Sequence, residues 1–525
     1  MIRILAINSK YVHTLLSPYY LKENCEYQAI DIVQCNINQN IEDLYNLAVE
    51  NNPIAVCFPT YIFNVNIVEQ VCRKIKDRNK DILIVLGGPE VSYEYEDNYE
   101  YADHIIIGEG ESSFNLLVND IINNRNGEKI YIGNQICDLS SLKSPYSEEY
   151  FSHTKGKIAY FESTRGCPFN CAYCMSGDTK LRYFGLPYVF SNLDKFKNRD
   201  IRVLKFVDRT FNANREYSNA ILKYFLDNEK DFPFSIHFEI AGDIINDEFL
   251  ELISKSRKGA FQFEIGVQSF NENTLNAVIR KTNTNKVLDN VKKLISLGKC
   301  HVHTDLIAGL PYEDYESFKK GFNILYSIKS DMLQLGFLKV LKGSRLKYML
   351  DNGYLYDKNP PYEIVKTPYI TSDELDKLRK VEFVVDKFLN TNNFKRTINY
   401  FVENDAFDFF YELNRYLCGN SLFDRYKAIY DFLTTKNDKY LVKSLLILDY
   451  ISSNNSRVLP PILKSDYDRD FKKFLNKCGV DTKKSFAVLI DINPLTYKRE
   501  KYVAIVNYDK EIEINYIKYG EIYES

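Results

Sequence analysis

The sequence predicts an α/β protein in three parts: a doubly wound parallel sheet, a central incomplete (β/α)6 barrel, and a C-terminal α+β extension. Two observations carry the first two parts. Short apolar runs alternate with stretches of helical apolar spacing through residues 1–340, the signature of parallel βαβ units. The turns after those runs are rich in glycine and polar residues, as the ligand-binding edge of such a sheet requires. A third observation separates the extension: beyond residue 341 helices come first and short alternating runs follow. At 525 residues the chain is too long for one core.

In residues 1–140, segments 2–7 and 27–33 read as strands, and Ile41, Leu44, Leu47 and Ala48 give helical spacing before Pro53. Residues 54–58 form a third strand, followed by Ile67, Val68, Val71 and Ile75 on a helix. Residues 82–86 run into Gly87, Gly88 and Pro89. Residues 105–107 run into Gly108, Glu109, Gly110 and Glu111, and 114–122 are helical. Ligands of a doubly wound sheet bind beyond the carboxyl ends of its strands. Those ends carry Ser9 and His13, then Thr60, Tyr61 and Asn64, then the two glycine turns, where a backbone without Cβ can approach a large flat ligand. Residues 141–154 are turn-rich and read as a linker.

In residues 155–340, strand signals at 158–161, 203–207, 235–241, 261–268, 302–308 and 332–338 alternate with helical spacing such as Val287, Val291 and Leu294. Six units give a partial barrel with its site at the C-terminal strand ends. Directly after the first strand, residues 162–175 read Glu-Ser-Thr-Arg-Gly-Cys-Pro-Phe-Asn-Cys-Ala-Tyr-Cys-Met. Three thiolates as close as Cys167, Cys171 and Cys174 can hold three irons of a cubane cluster, leaving the fourth open to a ligand. A structural zinc site wants four Cys or His ligands and an electron-transfer cluster four cysteines, but the neighbouring Cys137 and Cys300 are solitary. Later strand ends carry Asp208, Glu239, Gln268 with Ser269, and Asp305 with Ile307 and Gly309; Arg280 is expected on the helix after Gln268.

The cysteine spacing and the polar strand ends in register resemble the radical S-adenosylmethionine superfamily. The resemblance implies a [4Fe-4S] cluster on Cys167, Cys171 and Cys174, whose open iron chelates the amino and carboxylate groups of S-adenosylmethionine. One electron then cleaves that molecule to a 5′-deoxyadenosyl radical. It implies that Tyr173 lies near the adenine and that Asp208, in place of the family's Gly-Gly-Glu, meets the methionine amine. Glu239 is expected at the ribose, Gln268, Ser269 and Arg280 elsewhere along the molecule, and the backbone at Ile307 and Gly309 at adenine.

The first segment resembles the Rossmann-like cobalamin-binding domain found ahead of many such barrels. The implied contacts are Ser9, His13, Thr60, Tyr61, Asn64, Gly87, Gly88, Pro89, Gly108, Glu109, Gly110 and Glu111. Mutase-type domains carry Asp-x-His-x-x-Gly; here the loop is Tyr-Val-His-Thr-Leu-Leu, without the Asp or the Gly. His13 is therefore either a lower cobalt ligand or a polar residue beside the corrin.

In the extension, Leu375, Leu378, Val381, Val385 and Phe388 mark a helix, residues 406–417 and 440–451 two more, and Pro460-Pro461 breaks the pattern. Segments 486–490, 502–506 and 512–517 suggest a small sheet. The region resembles an uncharacterised extension of one subgroup of cobalamin-type radical proteins and reads as a helical lid, residues 341–525, over a substrate pocket. Lys342 reads as solvated.

Lys and Arg number 68 against 71 Asp and Glu, so there is no global basic field for nucleic acid or anionic lipid. The chain has no run of ~18 apolar residues and begins with one too short for a signal peptide. A cytoplasmic protein follows as the expectation, with its 11 cysteines serving as metal ligands or buried thiols. The leading reading is a cobalamin-dependent radical methyltransferase acting on an unactivated carbon of a small molecule or peptide. An electron donor such as flavodoxin or ferredoxin is its expected partner, with no membrane and no nucleic acid. The alternatives are a radical rearrangement or oxidative cyclisation, a tRNA methylthiotransferase, and a catalytically silent Fe–S or corrinoid sensor.

Overall fold

Branched aliphatic runs build the first sheet: β1 (Ile2–Asn8), β2 (Ile30–Asn36), β3 (Ala55–Pro59), β4 (Leu83–Gly87), β5 (His104–Gly108) and β6 (Ile130–Gly133). The computed structural model describes residues 1–95, 99–125, 127–177, 179–464, 469–508 and 512–520. The strands are parallel in the order 2-1-3-4-5-6. All of β1 is buried, as a strand covered on both faces must be. The order reverses between β1 and β3, the position where doubly wound sheets open a crevice. Asn64 fastens that point, its Nδ2 donating to the carbonyls of Ile7 at 2.9 Å and Pro59 at 3.0 Å.

Two expectations shift here. The second strand begins three residues later than residue 27, because burying Ile30, Ile32 and Cys35 sets its register against β1. Residues 141–154 are no free linker: Ser147 caps a helix, Glu148–Thr154. Tyr146 and Tyr150 are buried, and Tyr146 stacks on Phe161 with ring centroids 5.0 Å apart. A short helix, Ser17–Glu23, and the four-residue β6 were not anticipated.

The second sheet holds β7 (Ile158–Phe161), β10 (Val203–Phe206), β11 (Ser235–Glu239), β12 (Phe261–Gln268), β13 (His301–Ala308) and β14 (Met332–Phe337), with a small hairpin of β8 (Thr164–Arg165) and β9 (Arg182–Tyr183) beside it. Its order is 14-13-12-11-10-7. Each strand coincides with a predicted one. Phe161, Phe206 and Phe238 form a continuous aromatic row on the helix-covered face, centroids 4.9 and 4.6 Å apart. With side chains alternating along a strand, the opposite face receives Lys205, His237, Glu239, Glu264, His303 and Asp305.

The chain divides into two compact units, Met1–Phe318 with Gly336–Ser372, and Lys319–Leu335 with Asp373–Ser525. In the first, the segment after β14 carries a short pair, β15 (Leu355–Tyr356) and β16 (Ile364–Lys366). There Lys342 is not solvated. Its ammonium lies 3.0 Å from the buried Glu90 carboxylate and 3.1 Å from the Tyr99 hydroxyl. Burial opposes its charge, but these partners outweigh it and raise its pKa.

The second unit contains the predicted helices Ser372–Val384, Ala406–Leu413 and Lys439–Ser453, and three more, Lys395–Phe401, Leu422–Thr434 and Arg469–Lys477. Its Phe and Tyr residues are core: Phe322 and Tyr326 pack on Phe410. The predicted small sheet is antiparallel β17 (Ser485–Ile492), β18 (Arg499–Asn507) and β19 (Glu513–Lys518). Among the described residues no helix is long and apolar enough to cross a membrane.

Candidate active site

The loop after β7 turns through Gly166, whose φ of +91° and closeness to Lys180 (a Cβ there would lie 2.3 Å from that carbonyl) admit only glycine. The turn brings Cys167, Cys171 and Cys174 to one cavity of about 190 Å³. Thr210 Oγ1 lies 3.6 Å from Cys167 Sγ, the Arg280 guanidinium 3.6 Å from Cys171 Sγ, and Ser176 N–H donates to Cys174 Sγ at 3.4 Å. A thiolate is the form in which cysteine binds metal. Among the described residues no fourth cysteine lines this cavity.

The remaining wall comes from the ends of β11, β12 and β13: Glu239, Glu264, Gln268 and Asp305. Gln268 sits at φ +73°, and its Oε1 is buried without a partner. On a cavity wall, such an acceptor is free to meet a ligand. Burial lifts the Glu239 carboxyl above the usual range, with the Arg209 charge opposing. Glu264 goes the other way, to about 2, because His237 at 3.0 Å and Lys205 at 3.3 Å outweigh its burial. Arg280 reaches the cavity from the turn after the helix Glu272–Ala277, not from a helix, and donates to the Tyr173 hydroxyl at 3.2 Å.

A larger cavity, about 480 Å³, opens over the switch point of the first sheet. Ser9, His13, Tyr61, Gly87, Gly88, Gly108, Gly110 and Glu111 line it, with Tyr160, Glu162 and Arg165 from the barrel. His13 Nδ1 lies 2.6 Å from the Tyr160 hydroxyl. Burial lowers the pKa of His13, helped by Lys10 and Lys205, so the imidazole is neutral at pH 7. Arg165 spans the two sheets: its guanidinium meets Glu111 at 2.5 Å, Glu162 at 3.1 Å and Glu109 at 3.4 Å.

Residues 161–323 match the radical SAM superfamily model and residues 2–118 the B12 binding domain model. The chain carries a radical SAM domain behind a B12-binding domain. Residues 351–521 match a family described as of unknown function, DUF4080. The cobalamin-dependent radical SAM methyltransferase TokK of Streptomyces tokunonensis is 25% identical over 311 residues, 52% of this chain and 45% of that protein. A tRNA-2-methylthio-N(6)-dimethylallyladenosine synthase of Buchnera aphidicola subsp. Schizaphis graminum is 24% identical over 298 residues, 54% of this chain and 66% of that protein. The chain thus spans about half the length of the curated relatives it matches. In fold it is similar to OxsB, solved with aqua-cobalamin and S-adenosylmethionine, with TM-score 0.61 at 11% identity over 91% of this chain and 81% of that one. It is also similar to TsrM of Kitasatospora setae, with TM-score 0.55 at 14% identity over 70% and 82%.

The cofactors of a radical SAM domain and a B12-binding domain are a [4Fe-4S] cluster, S-adenosylmethionine and cobalamin. The residues present fit them: three converging thiols with no fourth among the described residues, the open Gln268 Oε1, and a broad cavity at the switch point with a neutral histidine on its wall. Several residues expected at these sites are engaged elsewhere. Asp208 is buried, and its carboxylate accepts the N–H groups of Ser163 at 2.8 Å and Thr164 at 2.9 Å, so it anchors the chain entering the cysteine loop. Ser269 is buried and donates to Glu313. Ile307 and Gly309 do not line the cluster cavity; Gly309, at φ +85°, makes room for Ile364.

In the first sheet, Thr60 and Asn64 are buried braces, Pro89 is off the wall, and Glu109 pairs with Arg182. Burial works against the Glu109 charge, but Arg182 and the Ile136 N–H hold its carboxyl below the usual range. The glycine turns also serve a different end. A Cβ on Gly88 would stand 2.7 Å from the Thr60 carbonyl, and one on Gly108 2.4 Å from that of Gly133. Their close approach is to neighbouring backbone. Sequence reasoning missed Arg165, Arg209 and the row Lys205, His237, Glu264 and His303. The row had a signal, polar residues at period two inside otherwise apolar strands; Arg165 and Arg209 had none.

Proposed function

We propose that the protein is a cobalamin-dependent radical SAM enzyme that methylates an unactivated carbon, with residues 1–140 holding cobalamin, 155–340 the cluster, and 341–525 acting as the lid. When bound, the cluster supplies the electron that cleaves S-adenosylmethionine and cobalamin supplies the methyl group. Cys167, Cys171 and Cys174 hold the cluster. Glu239 and Gln268 orient S-adenosylmethionine, with Tyr173 and Arg280 along its other edge. Ser9, His13, Tyr61, Gly87, Gly88 and Gly110 face the corrin. The observation that carries the reading is the pair of cavities in one unit, one lined by three thiols and the other at the sheet's switch point, meeting at Arg209. A radical and a methyl donor must reach one carbon with water excluded, and adjoining cavities suit that demand.

A methylthiotransferase would need a second cluster. Burial pushes the thiol of Cys35 up to about 12 and raises those of Cys57 and Cys72, the opposite of what a thiolate ligand requires. The reductant is a low-potential donor such as flavodoxin or ferredoxin. The test is anaerobic reconstitution, scored for 5′-deoxyadenosine from S-adenosylmethionine and for corrinoid retained by each chain. Deoxyadenosine with one corrinoid per chain supports the reading. Deoxyadenosine without corrinoid leaves a radical enzyme and removes methylation, and neither product removes both.

A further inference from the structure

Among the described residues Arg209 is the one side chain that lines both cavities. It follows Asp208 beyond the end of β10, and its side chain is exposed. The other two arginines on these walls are taken: Arg165 by Glu111 and Glu162, Arg280 by the Tyr173 hydroxyl and the Gly266 carbonyl. Arg209 has no salt bridge or side-chain hydrogen bond to any described residue. Its charge acts on both sides, countering the effect of burial on Glu239 in the cluster cavity and on Tyr61 in the larger one.

A guanidinium offers a planar fork of donors that matches a carboxylate or a phosphate, and it stays charged at every working pH. An unpartnered fork where two cavities meet is placed to take such a group from whatever lies between them. We infer that Arg209 binds an anionic group of the substrate, a carboxylate or a phosphate, at the junction of the two cavities. The inference rests on the methylation reading, because that chemistry puts the substrate carbon at this junction. S-adenosylmethionine also carries a carboxylate, but the superfamily resemblance assigns that group to the open iron. The anion left for Arg209 is the substrate's.

The test labels the wild-type protein, loaded with cluster and hydroxocobalamin, with phenylglyoxal and follows Arg209 by peptide mass spectrometry. The expected result is modification at Arg209 well ahead of Arg165, changed less than about twofold by saturating S-adenosylmethionine. Acetate or inorganic phosphate, the two probe anions, each at about ten times its dissociation constant, should slow it roughly tenfold by occupying the site. The stronger protector names the group. Protection by S-adenosylmethionine alone would overturn the inference by giving Arg209 to that molecule, and no protection by either anion would overturn it outright. Deoxyadenosine formed by the same preparation reports separately on the underlying reading: its absence removes the radical chemistry, whereas the protection pattern still decides whether an anion site exists.

Discussion

Removing Arg165 should unsettle the first unit more than any surface charge could. Its side chain is 13% exposed, Glu111 is 6% and Glu162 14% exposed, and it pairs with both carboxylates. Substituting Arg165→Met keeps most of the packing but leaves two buried carboxylates without their cation, a loss of about 3–5 kcal/mol. Glu162 already sits above the usual carboxylate range because of burial, with Arg165 the largest opposing influence, so it would take up a proton and soften the loss. At roughly 2 °C per kcal/mol for a unit of this size, the melting temperature should fall by roughly 6–10 °C. The assay is circular-dichroism melting of the apo protein, compared across Arg165→Met, Glu111→Gln with Glu162→Gln, and all three together. Neutral glutamines need no cation, so the triple variant should recover more than half of the loss. A fall of under about 2 °C for Arg165→Met, or a triple variant no better than it, would refute the view that these charges hold the two sheets together.

Replacing any one of Cys167, Cys171 or Cys174 by Ala should abolish deoxyadenosine formation and most bound iron, while Cys300→Ala and Cys418→Ala keep both; iron analysis and product chromatography decide. Asp208→Asn should leave S-adenosylmethionine affinity within about threefold by equilibrium dialysis, because an amide oxygen can still accept from Ser163 and Thr164. It should also change the pH response. Burial lifts the Asp208 carboxyl from 3.8 to about 7. Between those values the folded protein keeps a proton that the unfolded chain has lost, so this group's contribution falls as pH rises through the window. Wild-type melting temperature should therefore drop more from pH 5 to pH 8 than that of Asp208→Asn, and parallel profiles would count against the shift. Gly88→Ala should cost about 1–3 kcal/mol, since φ is +114° and the new Cβ would press on the Thr60 carbonyl; a melting temperature equal to wild type would deny the clash.

The order of strands and helices was legible because apolar runs and helical spacing are local properties that tertiary contacts only refine. The six strands of the barrel fall where predicted. The cysteine triplet was legible for the same reason: three ligands on one turn are close whatever the rest of the chain does. What escaped was direction. Asp208 and Arg209 are neighbours at the end of β10, and the sequence recommended the acid as the site residue. In the fold the acid turns inward to hold Ser163 and Thr164, while the arginine beside it faces both cavities. Here the two neighbours turn to different sides of the loop, so one position decides whether a polar side chain braces the loop or meets a ligand.

The same logic explains Lys342 and the glycine turns. Lys342 looked solvated because nothing near it in sequence is acidic in a matching register; its partner, Glu90, is more than two hundred residues away and buried in the turn after β4. Gly88 and Gly108 looked like seats for a flat ligand, yet each admits a neighbouring strand's backbone at a distance no side chain tolerates. The requirement for glycine was read correctly and its cause was not. Both the ligand and the backbone explanation demand the same residue, and of the four only Gly87, whose Cβ would meet nothing closer than 3.7 Å, has room for a side chain; a Cβ on Gly110 would stand 3.0 Å from Leu21 Cδ2. If corrin binds over this wall as proposed, a methyl group added at Gly87 should weaken corrinoid retention without lowering the melting temperature.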